Sequence, residues 1–226
     1  MKKKQNPLIF LGEKLEFPPI QHANAEGLLA VGGDLSVKRL MLAYRNGIFP
    51  WFNEDALILW WSPDPRMVLF PDKVKISKSM RRLIHADVFE IRVNTAFEEV
   101  IKHCAAVPRA GQRGTWITDE MTKAYLQLHH MGIAKSYEVW QDGKLVGGLY
   151  GVDLGHVFCG ESMFSLVDNA SKFALIKLAQ ELHEKGYGLI DCQLYTSHLE
   201  SMGAEEISRE VYMELLKGKD KGCIHK

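Results

Sequence analysis

The sequence predicts an α+β fold, in which a small amino-terminal domain precedes a larger domain with a mostly antiparallel sheet. Three observations predict it. Residues 36–66 combine one short amphipathic helix with a segment rich in aromatic residues and prolines. Residues 136–164 contain three consecutive strand-like runs with an Asp142-Gly143 turn, which is a strong hairpin signal. Helical patterns flank these strands instead of alternating with them, and this arrangement is typical of α+β domains.

The amino-terminal domain is predicted to cover residues 1–66. Val37, Leu40, Met41 and Tyr44 fall at i, i+3, i+4 and i+7, with Ser36 placed to cap the helix and Gly47 to stop it. The aromatic and proline-rich stretch that follows, GIFPWF to SPDPR, indicates short strands joined by rigid turns.

The larger domain is predicted to cover residues 67–226. The pattern gives a capped helix from Ser77, a strand over 89–93, a helix from Phe97 to Cys104 and another capped by Thr118 or Asp119. The three strands come next. They are followed by a long helix over 169–185, a short strand LIDCQ and a final helix from Ser208.

Composition limits the classes of function. The chain has 226 residues, with 28 Lys and Arg against 28 Asp and Glu, so a nucleic-acid site would have to be a local basic patch. There is no apolar run long enough for a signal peptide or a membrane span. Four scattered cysteines without zinc-ligand spacing suggest reduced thiols in a cytoplasmic protein and no metal site.

Several residues are candidates for chemistry. In LIDCQ, alternation along a strand would put Asp191 and Gln193 on one face, although a turn-bonding pair at a strand end explains them as well. Glu161 is an acid in an apolar, glycine-rich strand and is expected to face a polar cleft, unless it is an ordinary edge residue.

Other candidates are aromatic or basic. Trp51 and Trp116 lie near glycines and prolines, where an indole can be held as a platform for a base, although core anchoring is commoner. Lys78, Arg81 and Arg82 share one helix and could hold a phosphate backbone or simply form a solvated face. Motifs for dinucleotide, P-loop, zinc-protease and serine-hydrolase sites are missing from the sequence.

An ordered set of segments resembles the leucyl/phenylalanyl-tRNA–protein transferase family over nearly the whole chain: EGLLAVGGDLS, GIFPWF, WWSPDPR, GTWIT, GGLYG, FCGESMFS, NASK, DCQ and SMGAEEISR. The resemblance implies that the larger domain has the fold of the GCN5-related N-acetyltransferases. It also implies transfer of Leu or Phe, with Met as a further candidate, from aminoacyl-tRNA to an amino-terminal Arg or Lys of an acceptor protein, which marks that protein for N-end-rule degradation. No cofactor is needed, because the aminoacyl ester is already activated.

The same resemblance assigns roles to residues. Asp191 and Gln193 would be the catalytic residues: Gln193 would lie beside the reacting groups and orient or relay the proton, and Asp191 would polarise Gln193. The base is left open, because Asp191 could receive the amine's proton directly or through Gln193, and the tRNA ribose hydroxyl could help. Glu161 would bind the acceptor. Trp51 and Trp116 would hold the terminal adenosine, and Lys78, Arg81 and Arg82 the acceptor stem. The wall of the donor aminoacyl pocket is expected from Leu149, Phe158, Met163, Leu178, Leu182 and Ile190. In the loop after DCQ, Thr196 replaces an asparagine found in some members of the family.

Two other functions fit parts of the pattern. An acyl-CoA-dependent N-acetyltransferase would suit the larger domain, but the pyrophosphate-binding loop that such enzymes usually carry is missing after FCGESMF, where the chain reads SLVDNASK. A non-catalytic RNA-binding module would need only the basic helix and the tryptophans.

Overall fold

The structure is a computed structural model that describes residues 8–53, 56–107 and 117–218. These residues form a four-stranded sheet in the order β1-β2-β4-β3 and a seven-stranded sheet in the order β11-β5-β10-β9-β8-β7-β6. The strands are β1 Phe10–Leu11, β2 Leu28–Gly32, β3 Phe49–Pro50, β4 Leu59–Trp61, β5 Arg66–Leu69, β6 Glu90–Val93, β7 Ala134–Gln141, β8 Lys144–Asp153, β9 Val157–Ser165, β10 Leu189–Gln193 and β11 Glu205–Ile207. The helices are α1 Val37–Arg45, α2 Lys78–His85, α3 Phe97–Ala106, α4 Asp119–His130, α5 Ala170–Glu184, α6 Ser197–Ser201 and α7 Arg209–Lys217.

The α+β class predicted from the sequence is confirmed. The predicted domain boundary after residue 66 remains a prediction. Strand β5 straddles that boundary and lies in the large sheet between β11 and β10.

Local sequence explains where the helices begin. The side chains of Ser36, Ser77, Thr118 and Ser208 each accept a hydrogen bond from a backbone N–H in the first turn of their helix. The end of α1 is followed by Gly47, whose φ of 70° belongs to the left-handed region. A Cβ at Gly47 would also lie 2.7 Å from the sulfur of Met213 on α7, so this position favours glycine for two reasons.

The large sheet has helices on both faces. Buried residues of α3 and α4 pack with one face, together with the core of α1 and the small sheet, whereas α5 and α2 pack on the other. Strands β7, β8 and β9 form the predicted antiparallel meander, with Asp142-Gly143 in the turn between β7 and β8. All helices in the described ranges are too short or too polar to traverse a lipid bilayer.

The one parallel neighbour pair in the described part of the large sheet is β9 with β10. Its pairing runs from Leu189 opposite Val157 to Asp191 opposite Cys159 and then stops, although β9 continues to Ser165 alongside β8. The two strands therefore separate beyond this point. A gap in the middle of the sheet results, and it creates the site described next.

Candidate active site

A cavity of about 590 Å³ opens where β9 and β10 separate. Its lining combines the diverging strand ends, apolar residues of α5 and the segment after β10, and the Phe49–Trp51 stretch of the small sheet. Apolar side chains dominate the wall: Leu149, Met163, Leu175, Leu178, Ile190 and Leu199. The polar lining includes Glu161, Gln193, Thr196 and His198. The fold thus brings a hydrophobic pocket and a polar cluster into one space.

Glu161 is the centre of the polar cluster. Its Oε1 accepts hydrogen bonds from the Tyr44 hydroxyl at 2.7 Å and from Nε2 of Gln193 at 3.0 Å. Its Oε2 accepts one from the Tyr125 hydroxyl at 2.8 Å, and the two tyrosine hydroxyls are hydrogen-bonded to each other. Helices α1 and α4 and strand β10 therefore converge on one carboxyl group.

The environment of Glu161 alters its acidity. Burial raises the pKa of Glu161 to about 7, the negative charge of Asp191 adds to the rise, and the hydrogen bonds from Tyr44, Tyr125 and Gln193 oppose it. A carboxyl group with this pKa exists in both protonation states at neutral pH. It is therefore suited to proton transfer near physiological pH.

Asp191 occupies a different environment, behind the cavity wall. Its carboxylate is fully buried and accepts hydrogen bonds from Nε and Nη2 of Arg66 at 2.8 and 2.7 Å, from the Tyr212 hydroxyl at 2.8 Å and from the backbone N–H of Gln193 at 3.0 Å. Burial by itself would lower the pKa of Arg66, but the charge of Asp191 outweighs burial and raises it, so the Arg66 guanidinium keeps its charge. Arg66 also lies between the rings of Phe49 and Tyr212, with its guanidinium carbon 4.8 and 4.6 Å from their centroids.

The strict alternation expected for LIDCQ is broken at its end. Ile190 and Cys192 line the cavity and Asp191 points to the opposite side of the sheet, as a strand requires. Gln193 has a φ of 65°, and the register with β5 shifts between Asp191 and Gln193. This irregularity turns Gln193 into the cavity, so the two residues do not share a face as the sequence predicted. Asp191 contacts the backbone of Gln193 and Gln193 contacts Glu161.

The expected donor wall is only partly on the cavity surface. Leu149, Met163, Leu178 and Ile190 line it. Phe158 is fully buried and packs over Gly151, where an added Cβ would lie 2.5 Å from its ring. Leu182 lies one turn beyond Leu178 on α5 and belongs to the buried core. Both therefore support the wall from behind instead of forming it.

The aromatic and basic candidates are placed as follows. Trp51 lines the cavity, with its ring 5.6 Å from that of Trp61, whose indole N–H donates to the Trp51 carbonyl at 2.7 Å. Trp116 lies outside the described residues. Lys78, Arg81 and Arg82 are exposed on α2 and do not line the cavity.

Tyr44, Tyr125, Arg66 and Tyr212 belong to the site but were not predicted from the sequence. Tyr44 was placed on the apolar face of the first helix. A usable signal was present, because a tyrosine at a core position must find a partner for its hydroxyl. Within the described ranges, no group of three or more His, Cys, Asp or Glu side chains could hold a metal ion.

Two family models match the chain: "Leucyl/phenylalanyl-tRNA protein transferase" over residues 68–217 and the N-terminal domain of the same proteins over residues 33–64. The chain is accordingly a transferase enzyme. It belongs to the leucyl/phenylalanyl-tRNA–protein transferase family.

Relatives match along nearly their whole length. A leucyl/phenylalanyl-tRNA–protein transferase of Flavobacterium johnsoniae is 59% identical over 212 residues, which cover 94% of this chain and 100% of the relative. The corresponding protein of Christiangramia forsetii is 57% identical over 211 residues, covering 92% and 100%. The family resemblance read from the sequence motifs is confirmed.

Solved structures give a weaker likeness. A GCN5-related N-acetyltransferase from Kribbella flavida aligns with a TM-score of 0.38 and 11% sequence identity, covering 74% of this chain and 60% of that chain.

Proposed function

We propose that this protein transfers leucine or phenylalanine, with methionine as a further candidate donor, from aminoacyl-tRNA to the amino-terminal Arg or Lys of an acceptor protein. The observation that carries the proposal is the single cavity in which an apolar wall adjoins Glu161 and Gln193. One space of this kind can hold a hydrophobic aminoacyl side chain and an attacking amine together. Binding both reactants in one cavity then offsets the entropy that is lost when they are brought together.

The apolar wall is proposed to select the donor side chain. Leu149, Met163, Leu178 and Ile190 form a surface that leucine and phenylalanine both fit, because neither is branched at Cβ. Phe158 and Leu182, buried behind this wall, would fix its shape. A close-packed support of this kind limits how far the pocket can adapt to β-branched side chains.

Trp51 is proposed to stack on the terminal adenosine of the tRNA. Its contact with Trp61 and the hydrogen bond to its carbonyl hold it at the cavity. Stacking of a base on an aromatic ring contributes about 1–3 kcal/mol. Trp116 is proposed to act with it.

Lys78, Arg81 and Arg82 are proposed to contact the phosphates of the acceptor stem. All three are exposed on one helix, α2. Because the chain has no net charge overall, such a local cluster is what a polyanion would contact.

On the acceptor side, Glu161 and Gln193 are proposed to contact the incoming amino group and Asp191 to act as a positioning residue. Asp191 holds the backbone N–H of Gln193 and is itself held by Arg66. This chain of contacts fixes the irregular end of β10 that turns Gln193 into the cavity. We place the enzyme in the cytoplasm, where charged tRNA is available, and expect its acceptors to be marked for N-end-rule degradation.

The test is transfer of radiolabelled leucine from charged tRNA to peptides beginning with Arg, Lys or Ala. We expect label on the Arg and Lys peptides, and a large loss in Gln193→Ala because the amine loses its polar contact. The matched control is Gln127→Ala at an exposed position of α4. No label on any peptide, with folded protein and intact charged tRNA, would refute the proposal; stabilisation by coenzyme A would then favour an acetyltransferase.

A further inference from the structure

The Glu161 cluster contains one more hydrogen bond than its two hydroxyl groups can supply. Glu161, Tyr44 and Tyr125 form a closed ring of three oxygen–oxygen hydrogen bonds: Tyr44 with Glu161, Tyr125 with Glu161, and Tyr44 with Tyr125. Each hydroxyl has one proton to donate. Two hydroxyls therefore satisfy two of the three bonds.

A third proton completes the ring if it resides on Glu161. The protonated carboxyl then donates to one tyrosine, that tyrosine to the other, and the second tyrosine to the remaining carboxyl oxygen. In the ionised form one of the three oxygen–oxygen contacts has no proton. The ionised cluster is thus arranged to take up one proton, and both hydroxyls can reorient to accommodate it.

Asp191 is poorly placed for this task. Its two oxygens accept four hydrogen bonds, two of them from Arg66, and it does not line the cavity. Glu161 does line the cavity and is bonded to Gln193, which also lines it. Of the two carboxylates, Glu161 is the one that a bound amine can reach.

We infer that Glu161, completed by Tyr44 and Tyr125, is the catalytic proton acceptor that converts the acceptor's α-ammonium group into the attacking amine. This inference rests on the proposed function. Gln193 orients the amine beside the carboxyl group. The ammonium group thereby supplies the third proton of the ring.

The step balances in atoms and charge. The ammonium gives one proton to the Glu161 carboxylate, and the amine nitrogen forms a bond to the carbonyl carbon of the aminoacyl ester. The bond between that carbon and the ribose oxygen breaks, and the ribose oxygen takes the second proton that the nitrogen loses. Glu161 finally releases its proton to water, so one proton is released per peptide bond formed.

The energetics of the transfer are consistent with this role. An α-amino group has a reference pKa of about 7.7–8.0, so transfer to a group with a pKa of about 7 is unfavourable by only about tenfold. Transfer of the same proton to a glutamate with an ordinary pKa would be unfavourable by more than about a thousandfold. The ionisable groups that interact with Glu161 are Tyr44 of α1, Tyr125 of α4, Cys159 of β9 and Asp191 of β10. Tyr150 of β8 and His198 of α6 line the same cavity.

The experiment is single-turnover transfer to an Arg-initiated peptide, measured from about pH 5.5 to about pH 9 at varied peptide concentration. The proteins are the wild type, Glu161→Gln, Tyr125→Phe and the control Glu184→Gln, which changes an exposed glutamate of α5. Titration of the peptide's own amine affects every protein equally. A rise in rate that the wild type shows and Glu161→Gln lacks therefore belongs to Glu161.

We expect Glu161→Gln to lower the saturated rate about 100-fold at neutral pH, with KM for the peptide changed less than about threefold and the rise near pH 7 abolished. Tyr125→Phe should move that rise to higher pH, because it removes a donor that stabilises the carboxylate. A saturated rate within about threefold of wild type in Glu161→Gln, with KM raised, would overturn the inference and leave Glu161 a binding residue.

Folding of the variants does not limit the test. If Glu161→Gln fails to fold, Tyr125→Phe decides, and an unshifted pH profile in that variant overturns the inference. Wild-type protein that transfers nothing to any peptide would overturn the proposed function itself. If the wild type transfers leucine and Glu161→Gln has the same kinetics, only the role of Glu161 is overturned.

Discussion

Replacing Arg66 by methionine should destabilise the protein strongly, because it leaves the Asp191 carboxylate buried without its cation. Methionine keeps an unbranched side chain between Phe49 and Tyr212 but removes the charge and the two hydrogen bonds of 2.8 and 2.7 Å. Hydrogen bonds to charged groups contribute about 1.5–3 kcal/mol each, which gives about 3–6 kcal/mol for the two. Breaking one side of a buried ion pair typically costs about 3–5 kcal/mol, in agreement.

The assay is urea unfolding at neutral pH, followed by far-ultraviolet circular dichroism. We expect a loss of about 4 kcal/mol from the free energy of unfolding. In a thermal unfolding experiment, the same loss would lower Tm by about 8–16 °C in a chain of this size. The control is Lys73→Met, which removes a surface ion pair of similar length, 2.8 Å to Glu205, between side chains that are about half exposed. Solvent screens that pair, and we expect a loss of about 0–1 kcal/mol.

A double variant identifies the cause. Asp191→Leu is destabilising alone, because it leaves the Tyr212 hydroxyl and the Gln193 N–H without their acceptor. Combined with Arg66→Met, it removes the Asp191 charge that Arg66→Met leaves buried and unpaired. The double variant should therefore lose at least about 2 kcal/mol less than the sum of the two single variants. Additive losses, or an Arg66→Met variant as stable as Lys73→Met, would refute the reasoning.

Three further predictions concern the cavity and the basic helix. Burial raises the pKa of Glu161 from its ordinary value to about 7, so the folded protein binds the Glu161 proton more tightly than the unfolded chain does. This proton binding stabilises the folded state at low pH, and the stabilisation is lost as the pH rises towards and through 7. Glu161→Gln should accordingly gain up to about 3 kcal/mol relative to wild type between about pH 5 and about pH 8 in urea unfolding, and a constant difference would contradict the shift. Met163→Phe should narrow the donor pocket and lower transfer of phenylalanine about tenfold more than transfer of leucine, measured as kcat/KM with the two charged tRNAs; equal losses would remove Met163 from the wall. Arg81→Gln with Arg82→Gln should reduce the slope of log affinity against log salt for tRNA by about 1–2, whereas an unchanged slope would show that α2 does not contact the phosphates.

The sequence by itself determined most of the helices, the strands at the centre of the large sheet and the family. The helix caps depend only on neighbouring residues, because each capping hydroxyl accepts a hydrogen bond from the backbone N–H three residues later in the chain. The capping residues are Ser36, Ser77, Thr118 and Ser208. The meander of β7 to β9 is equally local, because Asp142-Gly143 fixes the first turn and alternation fixes the faces. Glu161 and Gln193 were identified from their chemistry and from the motifs that contain them.

Only the tertiary structure decided which side chains of the site are bonded to one another. Arg66 and Asp191 are 125 positions apart, and Tyr44 and Glu161 are 117 apart, so no local pattern could pair them. The same holds for the cavity, which depends on the parallel pairing of β9 and β10 ending at Cys159 and Asp191. Strand alternation predicted a common face for Asp191 and Gln193, but the left-handed backbone at Gln193 overrides it. Propensity and periodicity act over a few residues, whereas a buried charge must find its partner wherever the fold brings one.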